Sequence, residues 1–222
     1  MGENAKRNAA LEALKFVQRR KTVGLGTGST AAEFIRALAE KNKNESLELV
    51  CVATSVSSQK LAEELGLSVV GLENVGRIDL AVDGADQVDK NKNLLKGLGG
   101  ALAREKVVDY AARKFVVVAD ESKIVEELGG VVPVEVIPFA RASVERKLAR
   151  MGAEVSARKK ADGSEFVTDN GNEILDARFQ TIKNPRALER KIKRIPGVVE
   201  SGIFTGKVWK VIVGNDEGVR VL

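Results

Sequence analysis

Histidine is absent from the 222-residue sequence, and cysteine occurs once, at Cys51. The lack of histidine excludes a Ser-His-Asp arrangement, a histidine-ligated zinc site and the usual general base at neutral pH. A single cysteine excludes an internal disulfide and a four-thiolate metal site, and its place in the apolar run LELVCVAT predicts a core position. Acid or base chemistry must therefore come from carboxylates and lysines.

Aromatic residues are scarce, at 4% of the chain, and long uncharged runs are missing. Nucleic-acid sites need basic residues clustered with aromatic ones, whereas the basic residues here are interleaved with acids, so an anionic small molecule explains the net charge of +5 at least as well. No apolar run approaches the roughly 20 residues of a membrane span. We therefore expect a cytoplasmic protein that binds neither nucleic acid nor membrane.

A hydrophobic share of 44% is enough for a folded core, and the pattern along the chain predicts an α/β fold. Helical periodicity over residues 4–19 is followed by apolar runs such as TVGLG, LELVCVAT, LSVVGL and KFVVVAD, separated by further helical segments. Strands that are apolar along their length and alternate with helices are typical of a parallel sheet covered on both faces. The sequence predicts a Rossmann-like domain.

The pattern changes near residue 130. A strand, a helix and a strand are followed by SEFVTDNGNEILDARF, which predicts a hairpin, and then by a further helix and strand. This order matches a ferredoxin-like α+β domain. We expect that domain to be an insertion at 130–204, so that the final strands KVWKVIVGN and GVRVL return to the first sheet and residues 1–129 and 205–222 form the Rossmann-like catalytic domain.

The segment GLGTGSTAAEFI lies where the first strand gives way to a helix, a place where backbone amides can bind an anion. It fits G-x-G-x-x-A, but the acid that a dinucleotide site needs after the second strand is missing, and there is no Gly-Lys-Ser/Thr of a Walker A loop. The hydroxyl groups of Thr27, Ser29 and Thr30 suit a monophosphate or carboxylate. A tight turn with Ser29 as the helix N-cap is the alternative.

Asp83 and Asp86 follow the apolar strand in RIDLAVDGADQVD, at the carboxyl end where α/β sheets bind ligands. Their spacing does not fit a calcium loop, and no histidine or cysteine completes a transition-metal site, so we expect no metal. A solvated turn is the alternative for Asp86.

Lys96, in NLLKGLGG, and Glu105, in GALAREKVV, complete the charged segment. A lysine beside a glycine cluster can stabilise a developing oxyanion, although surface lysines are common. A glutamate in the opening turns of a helix stays ionised through the helix dipole, which is also the state that a proton-abstracting base needs.

Five segments in order resemble ribose-5-phosphate isomerase type A: GTGSTAAEFI, ATSVSSQKLAEELG, DLAVDGADQVD, KGLGGALAREK and ADESKIV. The resemblance covers essentially the whole chain. It implies an aldose-ketose isomerase that interconverts ribose 5-phosphate and ribulose 5-phosphate through an enediol, without a metal or organic cofactor, and that forms a homodimer or homotetramer.

The resemblance also implies roles for individual residues. Glu105 is the base, Lys96 stabilises the enediolate oxygen, and Asp83 and Asp86 handle hydroxyl protons. The residues implied in substrate binding are Thr27, Gly28, Ser29, Thr30, Gly84, Ala85, Gly97, Lys123 and, in the first helix, Lys6. One departure from the family is Leu98, which interrupts the usual glycine run and puts the local loop geometry in question.

Two other classes of function compete with the isomerase. A sugar-phosphate deaminase or a coenzyme A transferase has a related architecture, but the deaminase typically relies on a histidine, which this chain lacks. A non-catalytic sugar-phosphate sensor normally carries a helix-turn-helix segment, for which the sequence has no spare residues.

Overall fold

The computed structural model describes residues 3–222, which form helices, strands and four 3-10 turns. The helices are α1 Glu3–Ala13, α2 Ser29–Glu45, α3 Val56–Glu64, α4 Leu102–Ala111, α5 Arg141–Arg150 and α6 Pro185–Lys193. The strands are β1 Thr22–Leu25, β2 Val50–Ala53, β3 Ile78–Gly84, β4 Gln87–Val88, β5 Leu94–Leu95, β6 Ala112–Asp120, β7 Gly130–Val136, β8 Glu154–Ala157, β9 Glu173–Phe179, β10 Val198–Ser201, β11 Ile203–Phe204, β12 Val208–Gly214 and β13 Val219–Val221. The 3-10 turns are Leu14–Phe16, Leu72–Asn74, Glu121–Lys123 and Pro138–Ala140.

A six-stranded sheet with the order β13-β12-β6-β3-β1-β2 is the centre of the first part of the fold. Its strands pair in parallel, except for β13, which pairs antiparallel with β12 at the edge. Apolar residues fill both faces of the inner strands, as expected for a sheet that is covered on both sides. The predicted parallel sheet and the return of the two final strands to it are confirmed.

Helices lie on both faces of this sheet. Val23 and Leu25 of β1 belong to the core that also contains residues of α1 and α2. Neighbouring residues of a strand point to opposite faces, and a Cβ atom added to Gly24, between them, would lie 2.7 Å from Val108 Cγ1 of α4. The helix α4 therefore covers the face opposite α1 and α2.

A four-stranded antiparallel sheet with the order β10-β7-β9-β8 forms the second part. Its chain order of strand, helix, two strands, helix and strand is that of the ferredoxin-like split βαβ motif. The helices α5 and α6 supply Val144, Leu148 and Ile192 to its buried core. A separate three-stranded sheet has the order β11-β5-β4.

Two compact units emerge from the contacts within the chain. The first comprises residues 1–85, 104–124 and 207–222, and the second comprises 86–103 and 125–206. The sequence-based division into 1–129 with 205–222 and 130–204 assigns 86–103 to the first domain, whereas β5 within that segment pairs with β11 of the second unit.

Three local predictions differ from the structure. The helix expected over 4–19 is an α-helix only as far as Ala13. A 3-10 turn follows at Leu14–Phe16, and helical structure stops there because Val17 is extended. In the run LSVVGL, only an isolated bridge joins Val69 to Cys51. The predicted hairpin has its turn, since Thr168 N donates to Asn172 O at 2.8 Å, but its first arm makes one bridge, between Lys159 and Glu165.

Across residues 3–222, every helix is too short or too polar to span a bilayer.

Candidate functional site

The glycine segment between β1 and α2 is shaped by two different constraints. A Cβ atom on Gly26 would lie 2.2 Å from Asp83 Oδ1, so a side chain cannot be accommodated there. Gly28 has a φ of 104° and is the N-cap of α2, so it occupies a region that favours glycine. The alternative in which Ser29 caps the helix is therefore wrong, since Ser29 is the first residue within α2.

Asp83 and Thr27, both predicted as site residues, are brought together at this turn. The carboxylate of Asp83 is fully buried at the carboxyl end of β3. Its Oδ1 atom accepts hydrogen bonds from Thr27 N at 2.9 Å and from Gly84 N at 2.6 Å. Backbone donors stabilise an ionised carboxylate, so Asp83 fixes the position of the glycine segment.

A cluster of hydroxyl groups surrounds the Thr27 side chain, and sequence reasoning missed its other members. Thr27 Oγ1 donates to Ser55 Oγ at 2.8 Å and lies 2.7 Å from Thr54 Oγ1. Ser58 Oγ donates to Gly26 O at 2.7 Å. The signal was the run of hydroxyl residues in ATSVSS after β2, which places them at the carboxyl edge of the same sheet.

The remaining predicted residues of the first unit are solvent-accessible to different degrees. Gly28 and Ser29 are exposed, and half-buried positions are held by Thr30, Gly84, Ala85, Lys123 and Lys6. Lys123 is the last residue of the 3-10 turn Glu121–Lys123, which Asp120 caps through a hydrogen bond from Ser122 N at 3.0 Å. Lys6 lies within α1.

Glu105 lies in the first turn of α4 and is only 4% exposed. This burial distinguishes it from a surface carboxylate that merely complements a helix dipole. Asp109, one turn further along α4, is fully buried and was not predicted. Residues four apart share a helix face, so the spacing of four between the two acids of α4 was the available signal.

Lys96 is the largest charged side chain in the buried interior of the second unit, with an exposure of 2%. Its backbone N donates to Gly202 O at 2.9 Å, and Gly202 N donates to Pro133 O at 2.7 Å. The ammonium Nζ lies 5.5 Å from the centre of the Phe204 ring, which attracts the cation. The lysine is thus a fixed buried cation rather than a mobile surface one.

The loop after Lys96 contains Leu98, which interrupts the expected glycine run. Gly97 and Gly100 have φ angles of 92° and 86°, whereas Leu98 does not take a positive φ. The N–H of Leu98 donates to Asp86 Oδ2 at 3.0 Å, so Asp86 is bound to the loop and is not a merely solvated turn residue. Leucine therefore fits this backbone without strain.

Within residues 3–222, no three His, Cys, Asp or Glu side chains are grouped so that they could hold a metal ion.

Comparison with known proteins gives a consistent result. The family model for ribose 5-phosphate isomerase A (phosphoriboisomerase A) matches residues 50–218. Ribose-5-phosphate isomerase A of Methanothermobacter thermautotrophicus is 48% identical over 99% of this chain and 97% of its own length. That of Thermococcus kodakarensis is 48% identical over 98% of this chain and 97% of its own length.

Solved structures agree with these sequence matches. Ribose 5-phosphate isomerase A from Methanocaldococcus jannaschii has a TM-score of 0.96 and 44% identity, with coverage of 100% of this chain and 99% of that one. A D-ribose-5-phosphate isomerase in complex with phospho-erythronic acid has a TM-score of 0.95 and 44% identity, with coverage of 98% and 96%.

Proposed function

This chain belongs to the ribose 5-phosphate isomerase A family and interconverts ribose 5-phosphate and ribulose 5-phosphate, and we propose that Glu105 carries the proton between the two sugar carbons. The observation that supports this role is burial: at 4% exposure, Glu105 is a carboxylate largely removed from water in a chain without histidine. A desolvated carboxylate is a stronger base than one in water.

The reaction is an internal redox exchange, so it needs no external oxidant. Glu105 removes the proton from C2 of the open-chain aldose, the electron pair forms the C1–C2 double bond, and the C1 carbonyl oxygen becomes an enediolate oxygen. Glu105, whose acquired proton can exchange with solvent, then delivers a proton to C1, while the C1 enediolate oxygen gains a proton to become a hydroxyl and the C2 hydroxyl loses one and becomes the ketone. Asp83 and Asp86 carry hydroxyl protons in this scheme, including those moved during opening of the furanose ring.

Lys96 stabilises the enediolate oxygen in this proposal. A fixed ammonium group in a dry site stabilises charge as it develops, an effect of about 3 kcal/mol or about a hundredfold in rate. Its exposure of 2% and its anchored backbone support this role.

The substrate-binding residues are proposed to be Thr27, Gly28, Ser29, Thr30, Gly84, Ala85, Gly97, Lys123 and Lys6. Supporting observations are the N-terminus of α2 at Gly28 and the hydroxyl groups around Thr27, both suited to an anion. The relative bound to phospho-erythronic acid adds a chemical argument, because the carboxylate of this phosphorylated sugar acid resembles the two-oxygen head of an enediolate.

Isomerisation in heavy water tests the mechanism. The protein is incubated with ribose 5-phosphate in heavy water with a chelator, and the ketose is quantified and examined for deuterium. Ketose formation with deuterium uptake supports a metal-free enediol route. Ketose without deuterium under any condition, or activity that is lost with the chelator and restored by a metal ion, contradicts it.

Enzymatic turnover, oligomeric state and cellular location are each tested by a separate experiment. Binding of ribose 5-phosphate without turnover would favour the sensor alternative over the enzyme. A homodimer or homotetramer is checked by light scattering on the purified protein, and a cytoplasmic location by fractionation of the source cells.

A further inference from the structure

An arginine outside the predicted site holds the loop that follows Lys96. Arg158 comes directly after β8, and its side chain is only 10% exposed. Its Nη1 atom donates to Gly97 O and to Leu98 O, each at 2.9 Å. One guanidinium nitrogen therefore binds two consecutive carbonyl groups of the loop.

Arg158 is itself fixed by two neighbours. Its Nε atom donates to Asp176 Oδ2 at 3.0 Å, and its Nη2 atom donates to Asp176 Oδ1. This paired contact sets the plane of the guanidinium group. The ring of Phe166 lies 5.8 Å from the central carbon of Arg158, so an aromatic group also covers the cation.

Phe166 contacts the other end of the same loop. A Cβ atom on Gly100 would lie 2.3 Å from Phe166 Cζ, so the ring packs directly against the glycine backbone. The turn that follows Phe166 is anchored by Glu135, whose Oε1 atom accepts hydrogen bonds from Thr168, Asn170 and Asn172 at 3.1, 3.0 and 2.8 Å. The loop from Gly97 to Gly100 is therefore held at both ends by residues of the segment 125–206, which belongs to the same unit.

The bonds of Arg158 determine how the peptide groups are oriented. In a trans peptide, the C=O and the following N–H point in opposite directions. The Gly97 carbonyl faces Arg158, and the Leu98 N–H faces Asp86 Oδ2. A cation and a carboxylate thus hold opposite sides of the peptide group between Gly97 and Leu98, directly after Lys96.

We propose that Arg158 is a positioning residue for the isomerisation: by binding the carbonyls of Gly97 and Leu98, it fixes the peptide group that orients Asp86 and the loop beside Lys96. This inference rests on the proposed roles of Lys96 and Asp86. A hydrophobic side chain could fill the same space, often with no loss of stability, but it would leave the two carbonyls without this cation. The guanidinium group is therefore suited to positioning the loop through hydrogen bonds rather than to filling space in the core.

Kinetics of matched arginine variants test the proposal. Arg158→Gln removes the paired bonds, while Arg141→Gln is the control, because Arg141 binds the carboxylates of Glu165 and Glu173 in the same unit. For Arg158→Gln we expect kcat to fall about 10- to 100-fold, with KM changed less than about threefold, because misplaced groups lose rate before affinity. We expect Arg141→Gln to stay within about twofold of the parent. Equal kcat values for the two folded variants would overturn the proposal.

Two milder variants keep the test decisive if Arg158→Gln does not fold. Arg158→Lys keeps the charge but not the fork, and Asp176→Asn keeps the arginine but weakens its orientation. Both should lower kcat by smaller factors, and guanidinium ions added to Arg158→Gln or, if that variant does not fold, to Arg158→Lys should restore part of the rate. If both milder variants have parental kcat, the positioning role is wrong.

Hydrogen exchange separates this inference from the proposed function, because it does not depend on turnover. The Leu98 amide should exchange at least about tenfold faster in Arg158→Gln, or Arg158→Lys, than in Arg141→Gln. If the parent protein lacks isomerase activity but the variants still differ in this way, the proposed function fails, whereas the role of Arg158 in holding the loop is supported. Unchanged exchange at Leu98 would show that a loss of kcat is not caused by a change in the loop, and would overturn the proposed role of Arg158.

Discussion

Leu98 lies between two glycines that need their positive φ angles, yet it does not need one itself. Its side chain is 54% exposed, and its contribution to the loop is the N–H that binds Asp86. We therefore predict that Leu98→Gly keeps kcat within about twofold but lowers the free energy of unfolding by up to about 1 kcal/mol, because glycine loses more backbone entropy on folding. Steady-state kinetics and urea denaturation measure the two effects.

Gly97→Ala is the contrasting variant in the same loop. Gly97 has a φ of 92°, and a Cβ atom would lie 2.7 Å from Leu102 Cβ. This variant should lose much of its activity. Parental activity in Gly97→Ala, or a large loss in Leu98→Gly, would contradict the account of the loop.

Glu105→Gln tests the proposed base. The amide has nearly the same shape as the carboxylate but cannot accept the C2 proton, so we predict that kcat falls about 100- to 10,000-fold while substrate binding persists. Turnover and calorimetric binding of ribose 5-phosphate are the measurements. Glu64→Gln, at an exposed position of α3, is the control. Comparable activity of the two variants would remove Glu105 from its role.

Candidate site residues differed in how far the sequence could predict their surroundings. Asp83 was predictable as a residue near the carboxyl end of an apolar strand, and the structure places it against Thr27. Arg158 was not, because its partners Gly97 and Leu98 lie 61 and 60 positions away in the chain. A contact of that kind depends on the pairing of β8 with β9 and leaves no local pattern.

The turn between β1 and α2 depends on the close approach of Gly26 to β3. We predict that Gly26→Ala destabilises the turn strongly, by about 2 kcal/mol or more, because the new methyl group would overlap with the Asp83 carboxylate at 2.2 Å. Thermal unfolding and isomerase activity should both fall.

Gly76→Ala, in the segment that precedes β3, is the matched control for Gly26→Ala. Gly76 has no atom within 4 Å of an added Cβ and no positive φ. Its variant should retain its stability within about 0.5 kcal/mol. If Gly26→Ala is as stable and active as Gly76→Ala, Asp83 can move aside, and the close approach of Gly26 to Asp83 does not constrain the turn.

Elements were predicted well where periodicity alone decides the structure and less well at their ends. The apolar spacing after Ala13 continues because the 3-10 turn still buries Leu14. The first arm of the expected hairpin is not a strand paired with β9, because its backbone bonds to the segment after β8 instead, with Phe166 N donating to Arg158 O at 3.2 Å. Such tertiary pairing overrides local β-propensity.

For the whole molecule, the segment 86–103 determines which fragment can fold. Leu95 is buried in the core of the second unit, and β5 pairs with β11. We predict that residues 125–206 alone are poorly folded, whereas the same fragment carrying 86–103 through a flexible linker regains cooperative unfolding. Near-ultraviolet circular dichroism and urea titration compare the two. Cooperative unfolding of 125–206 alone would instead support 130–204 as an autonomous domain.

Cys51 offers a measurement on the first unit as a whole. Burial raises the pKa of its thiol from 9.0 to about 12, so the folded state favours the neutral thiol. The contribution of this thiol to the free energy of unfolding is therefore complete below pH 9 and declines between pH 9 and 12. We predict that a thiol reagent at pH 8 labels Cys51 only through unfolding, with a rate that rises with urea. Fast labelling without denaturant would contradict this burial.

The parallel pairing of the large sheet could be predicted from the sequence, but the order of its strands could not. Alternating strands and helices predict parallel pairing, and the two final strands were correctly returned to this sheet. The assignment of 86–103 to the second unit could not be predicted, because the two-residue strands β4 and β5 are too short to give a periodic signal.

Gly202 connects Lys96 to Pro133 through two backbone hydrogen bonds, and a Cβ atom there would lie 2.2 Å from Lys96 O. It has no side chain with which to act on a substrate. A saturation mutagenesis screen for isomerase activity would nevertheless score position 202 as intolerant as the proposed acid-base residues. Intolerance to substitution at such a position is thus a poor guide to which atoms meet the sugar.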